Sequence, residues 1–453
     1  MDLEPLIAKP ATTPALEQPT RVRYGVTAFL AGMTFVLYLD RSCIGQAGPH
    51  IQSELGISHT KMGFVYGAFL LAYGLFEVPT GAWADRYGAR GVLTRIVVWW
   101  SLFTALTGAA INFVTLLIIR FLFGAGEAGA LPNAARVLSR WFPDSARGTA
   151  QGFIGTAAML GGAMAPYTTA VLIEQVGWRW TFVCLGSVGV VWAIAFYSWF
   201  RDEPARHPSV NQSERLLIER GRSLADFDNS PHPAIPWHSI LHSPNVWLLG
   251  AIMSCAASLL YLVISWYPSY LQQARGASDT ESGVWTSVIL AGGALGVLVG
   301  GWFNDWLIRR TGNRTWTRWS VGVGCFLIAG TSITASIPCS SIAASGLWMA
   351  LASAAIHFQT PAWWGVIFQT SGRHTGAIFG LLNSMGLPGG IAAQVFLGWL
   401  VDYRTSLGYQ GRACWEPGFY IFSAVFFTAA VLWLFVKPLD SIVDRDRSGQ
   451  AAA

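Results

Sequence analysis

The sequence predicts an all-α membrane protein of twelve transmembrane helices in two six-helix bundles, and three observations predict it. Of 453 residues, 53% are hydrophobic and only 12% charged, against about 25% charged in an average soluble domain. About twelve runs stay apolar over the roughly 20 residues that a helix needs to cross a bilayer. A charged loop pattern also recurs six spans apart. Aromatic residues at 13%, including 22 Trp, suit wide membrane interfaces, where indole and phenol rings settle. The 49 glycines suit close helix packing in lipid.

The spans fall near 24–46, 61–83, 91–112, 114–138, 148–172, 178–200, 244–271, 282–307, 317–338, 342–370, 374–402 and 415–437. Their continuous apolarity marks helices, because barrel strands would alternate in polarity. Residues 1–20 read as a disordered cytoplasmic tail without the features of a signal peptide. An N-terminal bundle covers 21–200 and a C-terminal bundle 244–437, and 438–453 form a second cytoplasmic tail. Between the bundles, the polar stretch 201–243 reads as a cytoplasmic loop, with "NQSERLLIERGRS" as a short surface helix. Arg86, Arg90, Arg95, Arg136, Arg140, Arg147, Arg309, Arg310, Arg314, Arg318 and Arg373 fall in alternate connections, which places both termini in the cytoplasm. The expected location is the plasma (inner) membrane.

The net charge of +5 comes from arginines spread through short loops, so nucleic acid is not an expected partner. Six scattered cysteines make neither a disulfide framework nor a metal site. No HExxH, P-loop or GxSxG pattern appears, so no enzyme activity, catalytic residue, metal or cofactor is expected. The expected partners are the lipid bilayer, a small solute and protons, with the chain acting as a monomer.

Two loops repeat. "GAWADRYGARGVLTR" follows the second span and "GGWFNDWLIRRTGNR" the eighth. Each sets an aspartate four residues after a glycine and then basic residues: Gly81, Asp85, Arg86 and Arg90, then Gly301, Asp305, Arg309 and Arg310. Repeated halves are common in transporters and put the substrate site between them near mid-membrane. Helices one, four, seven and ten are expected to line it. Asp85, Arg86, Asp305 and Arg309 are expected to form gating contacts that latch the two bundles.

Ionisable residues at membrane depth are costly and usually functional. Asp40 and Arg41 sit inside the first span, about 100° apart on the helix, and Tyr38 shares the face of Arg41. In the fourth span Arg120 and Glu127 are seven residues apart, roughly 10 Å along one face, too far to pair directly. An arginine offers a carboxylate a planar two-pronged donor, and a carboxyl whose surroundings change can couple to protons. Tyr73 and Asn383 are further polar candidates inside apolar spans. Trp364 could stack on a sugar-like ligand, and His357 and Gln359 could face the cavity.

"GAWADRYGAR" resembles the signature loop of the major facilitator superfamily. The stretches "LYLDRSCIGQAGPHIQSELGIS", "GAFLLAYGLFEVPTGAWADRYG", "RFLFGAGEAGALPNAARVLSRWFPDSARGTAQG" and "TGAIFGLLNSMGLPGGIAAQVFLGWLVD" resemble its anion:cation symporter branch, which includes sugar-acid, hexuronate and organic-anion transporters. The resemblance implies the major facilitator fold and proton-coupled symport of a small carboxylate. It implies that Arg41 binds the substrate carboxylate, that Tyr73 and Asn383 help line the site, and that Asp40 and Glu127 are linked to protons, with Arg120 in their charge network. An antiporter or exporter, and a sensor that binds an anion without moving it, are the alternatives. The fifth span lacks the glycine-proline pair of drug antiporters.

Overall fold

The computed structural model describes residues 17–81, 87–221, 237–371 and 374–438. Its helices are α1 (Val22–Leu55), α2 (His59–Gly81), α3 (Ala89–Thr107) and α4 (Phe113–Trp141). The element Asp144–Trp199 breaks at Gly177 (φ 76°, ψ 161°), which divides it into α5 (144–176) and α6 (178–199). A linker helix, Gln212–Arg220, follows. Then come α7 (Pro244–Arg275), α8 (Asp279–Thr311), α9 (Arg314–Ser336), α10 (Ile342–Thr370), α11 (Thr375–Ser406) and α12 (Arg412–Phe435). Among the described residues, nine elements are long and apolar enough to cross a membrane. One of these is the broken α5–α6 element, and α2 and α3 complete the twelve. All six cysteines are free.

Side chains fix where helices begin, because the first backbone N–H groups lack helical acceptors. Asn112 and Thr115 form a reciprocal capping box at α4, and Asn313 caps α9. Arg21 gives α1 no side-chain cap. Glu214 of the linker helix serves instead, accepting from Val22 N and Arg23 N at 3.2 Å each and pairing with the Arg23 guanidinium at 2.8 Å. That contact docks the linker helix on the N-terminal half. It also marks what we term the tail end of the molecule; the α1–α2 turn lies at the far end.

Helix packing repeats with a shift of six. In the first half α1 packs on α5, α2 on α4, α3 on α6 and α3 on α4; in the second, α7 packs on α11, α8 on α10, α9 on α12 and α9 on α10. The halves meet through α2 against α11 and α5 against α8, two contacts that exchange under the same shift. This is the two-bundle fold expected from the sequence.

The far end is closed, and its closure is itself duplicated. α2 begins Ser58-His59-Thr60-Lys61-Met62-Gly63 and α8 begins around Ser278-Asp279-Thr280-Glu281-Ser282-Gly283, the same S-x-T-x-x-G pattern. Asp402 of α11 accepts from Thr60 N at 2.7 Å and Thr60 Oγ1 at 2.6 Å. Glu174 of α5 accepts from Thr280 N at 3.0 Å and Thr280 Oγ1 at 2.7 Å. Each acid thus caps a helix of the opposite half, where the helix dipole favours negative charge. The two glycines lie against the acids' own helices: a Cβ on Gly63 would strike Gln394 O, and one on Gly283 would strike Pro166 O. Gln46 Nε2 bonds Asp279 O at 2.9 Å, and His50 Nε2 lies 2.9 Å from both Asp279 carboxylate oxygens. Among the described residues every hydrogen bond between the halves lies toward this end.

If these caps hold the far end shut, cysteines at Gln52 and Gln273, whose side chains bond across the halves at 3.3 Å, should crosslink readily in a background free of native cysteine. Replacing both Asp402 and Glu174 by alanine should slow that crosslinking several-fold. An unchanged rate would show that the caps do not hold the closure.

Candidate functional site

The ionisable residues of α1 and α4 meet between the halves and inside the first one. Arg41 leaves α1 toward the interface and places Nε 2.9 Å from Glu127 Oε1, with NH2 bonded to the same oxygen. Glu127 Oε2 is buried without a partner among the described residues. Glu127 ends the first helical stretch of α4, which restarts after Gly129 in the left-handed conformation (φ 84°). A side chain at Gly129 would collide with Thr80, so the break that positions Glu127 depends on glycine there. The guanidinium carbon of Arg41 lies 5.0 Å from the Tyr38 ring centre, 5.2 Å from Phe69 and 5.0 Å from Tyr73. These rings offer a cation their negative faces. Tyr73 donates its hydroxyl to Glu77 at 3.2 Å.

Asp40 turns the other way, into the first half. It is fully buried, and neither carboxylate oxygen has a partner among the described residues. Trp100 and Thr104 of α3 are its polar neighbours, and Trp100 Nε1, Ser101 Oγ and Thr104 Oγ1 are likewise buried and unpartnered. Arg120 is 2% exposed. Its guanidinium lies 4.4 Å from the Phe123 ring and 5.3 Å from Phe69, and Nε has no partner among the described residues.

A cavity of roughly 100 Å³ opens beside Arg41. Tyr38, Arg41 and Ser42 of α1, Met159 and Gly162 of α5, Tyr261 of α7, Leu290 of α8 and His357 of α10 form its wall. Three of the four helices expected to line the cavity do so. The fourth, α4, stands behind Arg41 through Glu127, and α5 and α8 supply wall in its place, because their small residues pack beside α1 and α10. His357 Nδ1 lies 2.9 Å from Ser353 O.

The structure therefore gathers Tyr38, Arg41, Tyr73 and Glu127 around one guanidinium and sets Asp40 and Arg120 behind them. Asn383 and Trp364 are outside this wall. Trp364, 41% exposed, meets Phe379 at 5.9 Å, one helical turn from Asn383 on α11. Asp305 and Arg309 are exposed near the tail end of α8, and no ion pair among the described residues joins them to the other half. Asp85 and Arg86 lie outside the described residues. Sequence reasoning missed Phe69, Tyr261 and Leu290. Phe69 stands one turn before Tyr73, a spacing that puts both on one face, whereas nothing in the sequence separates Tyr261 and Leu290 from ordinary core residues.

Two six-helix bundles with a small cavity at their interface are an arrangement common in transporters. The chain matches the Major Facilitator Superfamily over residues 30–394, and it belongs to that family. It is an integral membrane protein that carries a solute rather than an enzyme that transforms one. It is 29% identical over 434 residues to the probable sulfoacetate transporter of Cupriavidus necator, covering 95% of this chain and 97% of the relative. It is 30% identical over 415 residues to a probable galactarate/D-glucarate transporter of Bacillus subtilis, covering 87% and 89%. Its fold matches a bacterial homolog to the human lysosomal transporter Spinster, in an inward-facing and unoccupied conformation, with a TM-score of 0.74 at 21% identity over 92% of this chain and 98% of that one.

Removing one member of a buried ion pair strands its partner at a cost of about 3–5 kcal/mol, whereas replacing both with apolar residues costs far less. Glu127→Leu should therefore lower the thermal midpoint of the purified protein more than the double change Arg41→Leu with Glu127→Leu. Equal midpoints would mean that the pair is not desolvated as its geometry requires.

Proposed function

We propose that this chain is a secondary active transporter that moves a small organic anion, a sugar acid or similar carboxylate, together with protons by alternating access. One observation carries the reading: Arg41 stands in the wall of the interface cavity and is held by a single oxygen of Glu127. A ligand carboxylate would compete with Glu127 for that guanidinium, since both need the same planar donors. A proton on Glu127 removes its charge and frees Arg41 for the ligand. Proton and anion loading are then linked, and the linkage is reciprocal. The relatives named for sulfoacetate, galactarate/D-glucarate and hexuronate support an anionic cargo.

In this reading Arg41, Tyr38 and Tyr73 bind the anion, and Asn383 and Trp364 approach it from the second half as the cavity changes shape. Asp40, Glu127 and Arg120 form the proton-linked network. The tail end is cytoplasmic, which makes the far-end closure an inward-facing state of a monomer in the plasma membrane. The gating set Asp85, Arg86, Asp305 and Arg309 acts in the opposite state, when the tail end closes.

Uptake into proteoliposomes with and without an imposed pH gradient tests the proposal. The wild type should accumulate a carboxylate substrate when the gradient is present. Arg41→Ala should abolish binding, because the ligand loses its charge-assisted bonds in a partly desolvated cavity. Glu127→Gln should keep binding and counterflow exchange but lose gradient-driven accumulation, and so should Asp40→Asn. Acid variants that concentrate substrate to the wild-type level would remove both residues from the coupling, and binding without any uptake would make the protein a sensor.

A further inference from the structure

We propose that His357 reads a hydrogen-bond donor on the transported anion and so sets how the cargo lies in the cavity. The inference rests on the anion reading above and adds the second contact that orients the cargo.

His357 belongs to α10, in the second half, and shares the cavity with Arg41 of the first. Its ring is fixed on one side: Nδ1 lies 2.9 Å from the carbonyl oxygen of Ser353, one turn earlier. A carbonyl only accepts, so Nδ1 must carry the proton there. In the neutral ring that leaves Nε2 as a lone-pair acceptor. Packing holds the ring in place, for a Cβ on Gly293 of α8 would lie 2.9 Å from Nδ1. No described residue bonds Nε2.

The helix-internal bond to Ser353 accounts for Nδ1 but leaves Nε2 unexplained. A packing role alone would be filled equally well by an apolar ring, as Leu290 and Ile264 fill the neighbouring wall. The cavity wall thus holds a guanidinium from one half and, from the other, an imidazole whose Nε2 no described residue bonds. A cargo that satisfies both carries a carboxylate and, elsewhere on the same molecule, an O–H. Such a molecule also spans the two halves, so its binding bears on how they sit together. An unsubstituted fatty acid would leave Nε2 dry and unpaired, a penalty that a site built for a hydroxyl imposes on analogues lacking it.

The test uses the full chain in nanodiscs and reads Kd by tryptophan quenching. The probes are carboxylates matched in length: 2-, 3- and 4-hydroxybutanoate against butanoate, and gluconate against hexanoate. In the wild type at least one hydroxylated member should bind about tenfold tighter than its partner, the worth of one hydrogen bond. His357→Phe keeps a planar ring without the acceptor; it should erase the ratio between paired members, whatever it does to the aliphatic member's own Kd. His357→Gln places an amide oxygen near the Nε2 position and should restore part of the preference. A preference that survives His357→Phe, an equal loss for both members, or a wild type that favours the aliphatic member in every pair overturns the inference and leaves the anion reading standing. A wild type that binds none of these carboxylates overturns the anion reading, and this inference with it.

Discussion

The bond from Arg41 to Glu127 is the interaction on which the rest of the site depends. A guanidinium kept at an interface between two apolar bundles needs a counter-charge whenever no ligand supplies one. Glu127 supplies it with one oxygen, and its other oxygen has no partner among the described residues. The rings of Tyr38, Phe69 and Tyr73 hold the cation in place with weaker, less directional attraction. On the reading proposed above, a strong pair that can be exchanged, inside a weak cage that need not be, would let the cation change partners without leaving its position.

The same helix ties this pair to the closed end. Gln46 and His50, five and nine residues beyond Arg41 on α1, bond Asp279 of the other half. At about 1.5 Å per residue they lie roughly 8 and 14 Å away along a continuous helix. Around them, the caps made by Asp402 on α2 and Glu174 on α8 repeat one design on two sides of the interface. Because both caps satisfy helix N-termini, opening the far end would leave backbone N–H groups needing water. The closure keeps these caps within reach of solvent, since the Glu174 bonds to Thr280 are exposed and the Asp402 side chain is 29% exposed. It stays reversible there because water can replace each acid.

Much of the fold was legible, because lipid forces continuous apolar runs and leaves few alternatives to helices. All twelve spans could be read, and so could the shift of six that relates the halves. Even so, the clearest internal repeat is S-x-T-x-x-G at α2 and α8 rather than the charged loop that first drew attention. It went unread because Ser, Thr and Gly are common at helix starts, and only the acids facing them give the pattern meaning. Arg41, Glu127 and Asp40 were legible because charge at membrane depth is rare. Tyr261, Leu290 and the acceptor role of His357 were not: an aromatic or aliphatic wall residue looks like any other core residue until a cavity is seen beside it. The placing of α5 and α8 in the wall likewise follows from close packing at small residues, which sequence periodicity does not reveal.

The adjacency of Asp40 and Arg41 resolves into a division of labour set by helix geometry. One step along α1 turns the side chain by about 100°, which carries Arg41 to the interface and Asp40 inward against Trp100 and Thr104 of α3. Because both ride on one helix, a rigid movement of the first half carries them together and changes nothing between them. What changes in such a movement is the environment on the interface side, where Arg41 meets the second half's cavity wall. Asp40 and its neighbours on α3 lie inside one bundle and keep their relation in such a movement. The two residues thus face different surroundings while fixed to one another, which is what the proposed coupling of a proton to an anion would need.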